Sequence, residues 1–291
     1  MDEKAIRSVV ERFLEEAATE DGPKALLSKA LGLQPREMIA LVGAGGKTTL
    51  MFRLAKELLL AGKKVITTTT TKILEPPAGE SPCVLVEPEE EKIAPFVALH
   101  LPTYRHLTIA GERLGGGKLR GISPSLLVEL WNQGEMDYLI IEADGAAGRP
   151  IKAPREGEPV IPSATTLVVA LLGMDGLGEA LAGKGVFREE RVSEVTGIPV
   201  WGRITEEAMA LLMTHPQGLL KGCPVSSRFV ALLNKVDVSD GAVKARRIAG
   251  KILEKEAPID RVILGQLRSE DPVAEVICPQ RCSLSCGRKS A

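Results

Sequence analysis

The stretch Met38–Leu50, MIALVGAGGKTTL, changes character twice over a short distance. Met38 to Val42 is an apolar run of strand length. Gly43-Ala44-Gly45-Gly46 follows, then Lys47-Thr48-Thr49, and from Leu50 to Leu60 the apolar residues recur at helical spacing. Strand, glycine-rich turn and helix in that order form a phosphate-binding loop. Glycines let the backbone turn through positive φ and aim several N–H groups at one point. The helix that follows adds an N-terminus with unpaired donors and a partial positive charge. On this reading Gly43, Ala44, Gly45, Gly46, Lys47, Thr48 and Thr49 bind the phosphates of a nucleoside triphosphate. Lys47 is the catalytic cation at the β- and γ-phosphates, and the Thr48 hydroxyl ligates the accompanying Mg²⁺.

The spacing departs from the usual GxxxxGK[ST] pattern, whose first glycine would fall on Leu41. Gly43 comes two residues later, so the loop reads GxxGKTT. That form is similar to the variant loops of Mur-type ligases as well as to those of Ras-like GTPases. Both GTP and ATP therefore stay open at this point.

Two further stretches lie downstream in the order such a site needs. Asp137–Pro154, DYLIIEADGAAGRPIKAP, contains a buried-type strand that ends in Glu142-Ala143-Asp144-Gly145. A strand that delivers carboxylates to its carboxyl end fits the metal-holding element of nucleotide hydrolases. Glu142 and Asp144 are two apart and share a face of an extended chain. One is expected to complete the Mg²⁺ shell, with Asp144 placed beside Thr48 as metal ligand, and the other to orient the attacking water. Arg149, Lys152 and Arg155 follow as candidates for binding an anionic substrate. Phe229–Asp237, FVALLNKVD, is an apolar strand running into Asn234-Lys235-Val236-Asp237. In an NKxD element the Asp accepts hydrogen bonds from N1–H and the 2-amino group of guanine. The Lys stem covers the base, and the Asn ties this loop to the phosphate loop. Adenine offers no matching donor pair. One charge-assisted contact of roughly 1.5–3 kcal/mol discriminates roughly ten- to 150-fold.

Between these motifs, Lys64–Ile66 opens a strand that continues into Thr67–Thr71 and Lys72. β-Branched residues suit a strand, and Thr69 to Thr71 fall near its carboxyl end, where a second metal ligand or γ-phosphate sensor would lie. Glu87–Glu91 reads as a solvated acidic face, and Gly115-Gly116-Gly117 as a loop ahead of Lys118. Residues 177–225 read as helical and loop-rich, with no assigned role for Arg188 or Arg191.

The whole chain has 291 residues, 44% hydrophobic, 26% charged and only 3% aromatic, with a formal net charge of −1. These values fit a globular α/β protein with an aliphatic core and give no basis for nucleic-acid binding. The charged beginning, MDEKAIRSVVERF, lacks a signal-like apolar region, and no run reaches the length of a membrane span. A cytoplasmic, reducing location is expected, with no membrane partner. Of the five cysteines, Cys278, Cys282 and Cys286 crowd the end of the chain. Free thiols in a flexible tail are expected there rather than a metal site.

Taken together, GAGGKTTL, VITTTTTK, IEADGAAGRPIKAP and LLNKVD resemble the YqeC family of selenium-dependent hydroxylase accessory proteins. The resemblance covers roughly residues 36 to 270. It implies a P-loop NTPase that serves the maturation of selenium-dependent molybdenum hydroxylases, with such an enzyme or its cofactor as partner. The expected fold is α/β, a doubly wound, mostly parallel, P-loop NTPase-like sheet. Residues 1–35 form a short N-terminal helical appendage, 36–270 the nucleotide-binding domain, and 271–291 a cysteine-containing tail. The expected activity is Mg²⁺-dependent binding and slow hydrolysis of GTP, with Lys47, Glu142 and Asp144 catalytic, Thr48 and Asp144 on the metal, and Asn234, Lys235 and Asp237 on the base. Two alternatives remain: an ATP-dependent ligase or transferase with a Mur-like loop, and a non-hydrolysing, nucleotide-gated scaffold that delivers a cofactor.

Overall fold

The computed structural model describes residues 26–77 and 79–279. In chain order its elements are α1 (Leu27–Leu31), β1 (Glu37–Gly43), α2 (Lys47–Leu60), β2 (Val65–Thr69), β3 (Lys72–Leu74), β4 (Val84–Val86), α3 (Glu90–Tyr104), β5 (His106–Ala110), β6 (Glu112–Leu114), β7 (Lys118–Arg120), α4 (Pro124–Gln133), β8 (Tyr138–Glu142), β9 (Ile151–Lys152), β10 (Leu167–Gly173), β11 (Val186–Phe187), α5 (Glu189–Thr196), α6 (Glu206–Thr214), β12 (Arg228–Asn234), α7 (Gly241–Glu254), β13 (Arg261–Gly265) and β14 (Val273–Ile277). Nine strands form the main sheet in the order β14-β13-β12-β10-β1-β8-β2-β5-β4. Every neighbouring pair is parallel except β13 with β14.

Strands at the centre of a parallel sheet are covered on both faces and read as continuous apolar runs. β1 and β10 obey this, since all their residues are buried. Alternate residues serve opposite faces. Ile39 and Leu41 pack with α1 and α2, whereas Ala40 and Val42 pack toward α5, α6 and α7. Further along that second face, Leu139 and Ile141 of β8 meet α3 and α4. The result is the doubly wound, P-loop NTPase-like α/β fold that the motif order implied. In such sheets the site lies along the carboxyl edges of the strands, which here gathers the ends of β1, β8, β10, β12 and β13. Among the described residues no helix is long and apolar enough to cross a membrane.

Three features differ from expectation. Helix α1 lies within the expected N-terminal appendage, yet Leu27 and Leu31 are fully buried in the same core as α2. The Glu57 carboxylate of α2 accepts hydrogen bonds from the N–H groups of Leu27 and Ser28, at 2.8 and 2.9 Å. Two buried leucines stabilise by roughly 1.5–3 kcal/mol each, so α1 is part of the domain. Strand β14 falls within the expected tail. The run Val273-Ala274-Glu275-Val276-Ile277 pairs antiparallel with β13 and closes that edge of the sheet. Helix α3 was hidden behind its acidic start and by Pro95 and Pro102, but Ile93, Val97 and Leu101 line one buried stripe. Residues 1–25, Cys282 and Cys286 lie outside the described residues; Cys278 is exposed, and no metal-holding cluster occurs among the described residues.

His106 on β5 is fully buried, with Nε2 3.0 Å from Thr67 Oγ1 and Nδ1 without a partner among the described residues. Burial pushes its pKa down to about 3. An unfolded histidine takes up its proton near 6.5, so between those values the unfolded chain binds the extra proton. This site's contribution to stability is complete above pH 6.5 and is lost as pH falls toward 3, at up to ~1.4 kcal/mol per pH unit. Urea unfolding midpoints measured from pH 7 to 5 are expected to decline, and His106→Gln is expected to flatten that decline.

Candidate functional site

The first turn of α2 opens on a cleft of about 1000 Å³. Its walls come from the phosphate-type loop, the ends of β8, β12 and β13, the loop after β8, and the small sheet β3–β7–β6. Gly46 is the N-cap of α2 and no side chain caps the helix. The N–H groups of the first turn have no intrahelical acceptors, so they are available to an anion in the cleft.

The glycines are required by packing. Gly43 has φ +91, and a Cβ there would stand 2.3 Å from the Leu171 carbonyl oxygen. Gly46 has φ +140, and a Cβ would stand 2.4 Å from Asn234 Nδ2. The loop thus lies flat on the end of β10 and against the β12 loop. Part of it faces away from the cleft. The N–H groups of Gly43, Ala44 and Gly45 donate to Asp144 Oδ2, Leu171 O and Arg149 O, at 3.0, 2.8 and 3.1 Å. Gly43 and Ala44, expected to contact phosphate, are therefore structural supports. The cleft is lined by Gly45, Gly46, Lys47, Thr48 and Thr49.

Behind the loop runs a chain of alternating charges. Thr48 Oγ1 donates to Glu142 Oε2 at 2.8 Å. Lys47 Nζ donates to the Gly43 carbonyl at 2.5 Å and lies 3.1 Å from Asp144 Oδ1 and 3.7 Å from Glu142 Oε1. Lys152 Nζ lies 2.8 Å from Asp144 Oδ2, donates to Gly145 O at 2.8 Å, and is 3.3 Å from Glu158 Oε2. Arg188 closes the chain with a two-pronged grip on Glu158, whose Nη2–Oε1 arm is 2.8 Å. Three carboxylates thus face three cations.

The burial of these groups sets their titration. Burial alone would pull the Lys47 pKa down, but the charges of Asp144 and Glu142 outweigh it and raise it, keeping the ammonium charged. Burial raises the Glu142 pKa, offset only in part by Lys47 and Thr48. Burial lowers Lys152 despite Asp144 beside it. Burial would raise Glu158, but the hydrogen bonds from Arg188 and the Lys152 charge override it and hold the carboxyl near 2.

Asp144, expected on the metal and among the catalytic groups, is 0% exposed and accepts from Gly43 N–H. Lys152 holds Oδ2, Lys47 lies 3.1 Å from Oδ1, which has no hydrogen-bond partner among the described residues, and Asp144 has no place in the cleft wall, so its geometry is that of an anchor for the loop and its lysine. Glu142 lines the cleft and touches Thr48, so these two supply the hard oxygen donors that fit Mg²⁺. Lys152, a candidate for binding substrate, is fully buried behind the loop. Arg149 lines the cleft; Arg155 pairs with Glu158 instead. The threonine run is also structural. Thr67 pairs with Thr108, Thr68 donates to Ile109 O, Thr69 to Glu142 O and Thr70 to Val160 O, and Thr71 accompanies Thr69. None of the five lines the cleft.

At the other end Asn234 joins two loops. Its Nδ2 donates to Gly45 O at 2.7 Å, and its Oδ1 accepts from Leu267 N–H at 3.0 Å. Lys235 has φ +63, and its Nζ reaches Asp175 Oδ2 at 2.5 Å. Asp237 is exposed on the cleft wall, with no ion-pair partner among the described residues. Four participants had gone unassigned: Glu158, Asp175, Phe187 and Arg188. The signal for Glu158 and Arg188 was the buried Lys152, which Glu158 links to Arg188 and which has no meaning until the fold is known.

A sequence model of the YqeC family matches residues 39–190. The uncharacterized protein YqeC of Escherichia coli (strain K12) is 30% identical over 245 residues, which cover 84% of this chain and 93% of that protein. Among solved structures, chloroplast FtsY from Physcomitrella patens is 15% identical with a TM-score of 0.41, covering 93% of this chain and 70% of that one. The signal recognition particle 54 kDa protein from Aeropyrum pernix K1, in complex with GDP, is 16% identical with a TM-score of 0.33, covering 96% and 60%. Both superpositions are loose.

Removing one member of a buried charge network leaves its partner uncompensated, at a cost of roughly 3–5 kcal/mol. Lys152→Ala is expected to destabilise the protein by about that amount, read as a lower urea midpoint. Arg155→Ala, which removes an exposed partner of Glu158, is expected to cost less than about 1 kcal/mol.

Proposed function

The chain belongs to the YqeC family, and from that membership and the cleft geometry we propose that it binds Mg²⁺ and a nucleoside triphosphate, GTP ahead of ATP, and hydrolyses it slowly. The observation that carries this reading is the joint placement of an uncapped helix start, Lys47, the Thr48–Glu142 pair and the Asn234 clamp along one cleft.

In this reading the phosphates lie on the N–H groups from Gly46 through the first turn of α2, where the helix dipole favours negative charge. Lys47 turns from its carboxylate partners to the β- and γ-phosphates. Thr48 and Glu142 would hold Mg²⁺, which when bound would supply charge neutralisation on the phosphate oxygens. Glu142 is also the cleft-facing carboxylate that would orient an attacking water beside the metal. Asp237 accepts from the guanine N1–H and 2-amino group, while Asn234 couples the base end to the phosphate end. Arg188 is held by Glu158 and Arg149 donates to the Val186 carbonyl, so neither guanidinium is set on the phosphate in this arrangement. Turnover without a partner is then expected to be slow, below ~10⁻² s⁻¹. The role in maturing selenium-dependent molybdenum hydroxylases rests on the family resemblance, with the client enzyme as the partner that accelerates turnover.

Calorimetric titration with GTP and with ATP, each with Mg²⁺, tests the base. GTP is expected to bind at least tenfold tighter, and Asp237→Asn to erase that preference. Equal affinities, or a preference unchanged in Asp237→Asn, would reject guanine recognition. Lys47→Ala is expected to remove triphosphate binding with the fold intact, and Glu142→Gln to retain binding but lose turnover. Tight binding with no turnover, even when the client hydroxylase is added, would favour the nucleotide-gated scaffold.

A further inference from the structure

We propose that the cleft holds a second ligand beside the nucleotide: a small molecule bearing a phosphate or carboxylate, gripped by Lys72 and Lys118 across from the phosphate loop. This deepens the nucleotide reading and rests on it for the placement of the triphosphate on α2. The cleft, at about 1000 Å³, stands at the top of the range of ~300–1,000 Å³ for small-molecule sites. Its lining divides along the sheet order. The β12–β13 side supplies Asn234, Lys235, Asp237 and Gln266, and β1 supplies the loop in the middle. Beside the loop after β8, the remaining wall is the small sheet β3–β7–β6, which contributes Lys72, Ile73, Leu74 and Lys118. The nucleotide reading uses none of these.

The register of that small sheet puts Lys72, Leu74 and Lys118 on one face. Lys72 stands opposite Arg120, and Leu74 opposite Lys118. Side chains alternate along strands, so Ile73 and Leu119 lie on the opposite face, and both are buried, although Ile73 still borders the cleft. Ion pairing differs sharply within this sheet. Arg113 is paired with Glu75 and Arg120 with Glu112, both at 2.9 Å. Lys72 and Lys118 have no ion-pair partner among the described residues. Arg149 stands on the cleft wall as well, whereas Arg188 there is already paired with Glu158. Glu142, Asp175 and Asp237 also line the cleft, but on the small-sheet side the charge left unanswered is positive, and like charges gathered in a concave wall concentrate counter-ions. Leu74 is 62% exposed between the two lysines, an apolar contact for the body of the ligand.

The small sheet is also fixed in place. A Cβ on Gly121, just after β7, would stand 1.9 Å from the Thr69 carbonyl oxygen, so glycine permits contact between that joint and the end of β2. Thr69 in turn donates to Glu142 O. The lysine face is thereby registered to the edge of the sheet that carries the Mg²⁺ pair.

The test is calorimetric titration of inorganic phosphate into protein saturated with Mg²⁺ and the β,γ-imido analogue of GTP, which occupies the loop. Phosphate is expected to bind, and the double variant Lys72→Ala/Lys118→Ala to weaken it at least tenfold. Arg113→Ala, on the same small sheet but paired with Glu75, is expected to leave it unchanged. No phosphate binding to the loaded protein, or equal binding in the double variant, would overturn the proposal. If the analogue itself does not bind, the nucleotide reading fails, and phosphate is titrated into Lys47→Ala. Binding that survives Lys47→Ala and is lost with Lys72→Ala/Lys118→Ala still upholds the second site. Binding that depends on Lys47 alone overturns it.

Discussion

Asp144 is a carboxylate with no exposure to water, and the site is assembled around keeping it paired. A buried charge is tolerated only with partners that satisfy it. Here they are two ammonium groups and the Gly43 amide. The Gly43 contact seats the phosphate-type loop on the end of β8. The Lys47 contact aims the loop's cation. The Lys152 contact draws in the chain after β8 and meets Glu158, which in turn holds Arg188 on the cleft wall. One residue thereby fixes the loop, its lysine and an otherwise distant segment.

Asn234 plays the matching part on the other side with neutral groups. One amide spans Gly45 O and Leu267 N–H, joining the loop after β1 to the loops after β12 and β13. This explains why position 46 admits only glycine: a side chain there would occupy the space of the Asn234 amide. The two ends of the cleft are therefore coupled by a single side chain and a single missing Cβ, and displacement of either loop would strain the other.

The parts of this architecture that repeat a local pattern were legible in the sequence. The strand–glycine–helix unit at Met38–Leu50, the carboxylates ending β8 and the Asn234–Asp237 turn were each read from adjacent residues. So was the doubly wound fold that follows from their order. What stayed hidden depends on distant partners. Asp144 and Glu142 look equivalent two residues apart, and only Lys152 and Gly43 separate an anchor from a cleft-facing group. The Thr67–Thr71 run suggested ligands, yet every hydroxyl finds a protein partner in neighbouring strands or loops. β14, five residues without an apolar–polar alternation, was too short to distinguish from a tail until β13 gave it an edge to pair with.

The pairing of Asp144 with two lysines also bears on how the loop can work. On the nucleotide reading, Lys47 must leave its carboxylates when a triphosphate arrives. Were Lys47 the only cation at Asp144, that move would strand a fully buried carboxylate, and its desolvation cost would oppose binding. Lys152 lowers that obstacle. It stays on Asp144 Oδ2 with Glu158 behind it, while the Gly43 N–H continues to donate to the same oxygen. Glu142, the other partner of Lys47, has Thr48 beside it and an opening to the cleft. Lys47 is thus free to exchange partners because each carboxylate it releases already has a second one, and a buried lysine that never meets the ligand is part of what makes the loop lysine available.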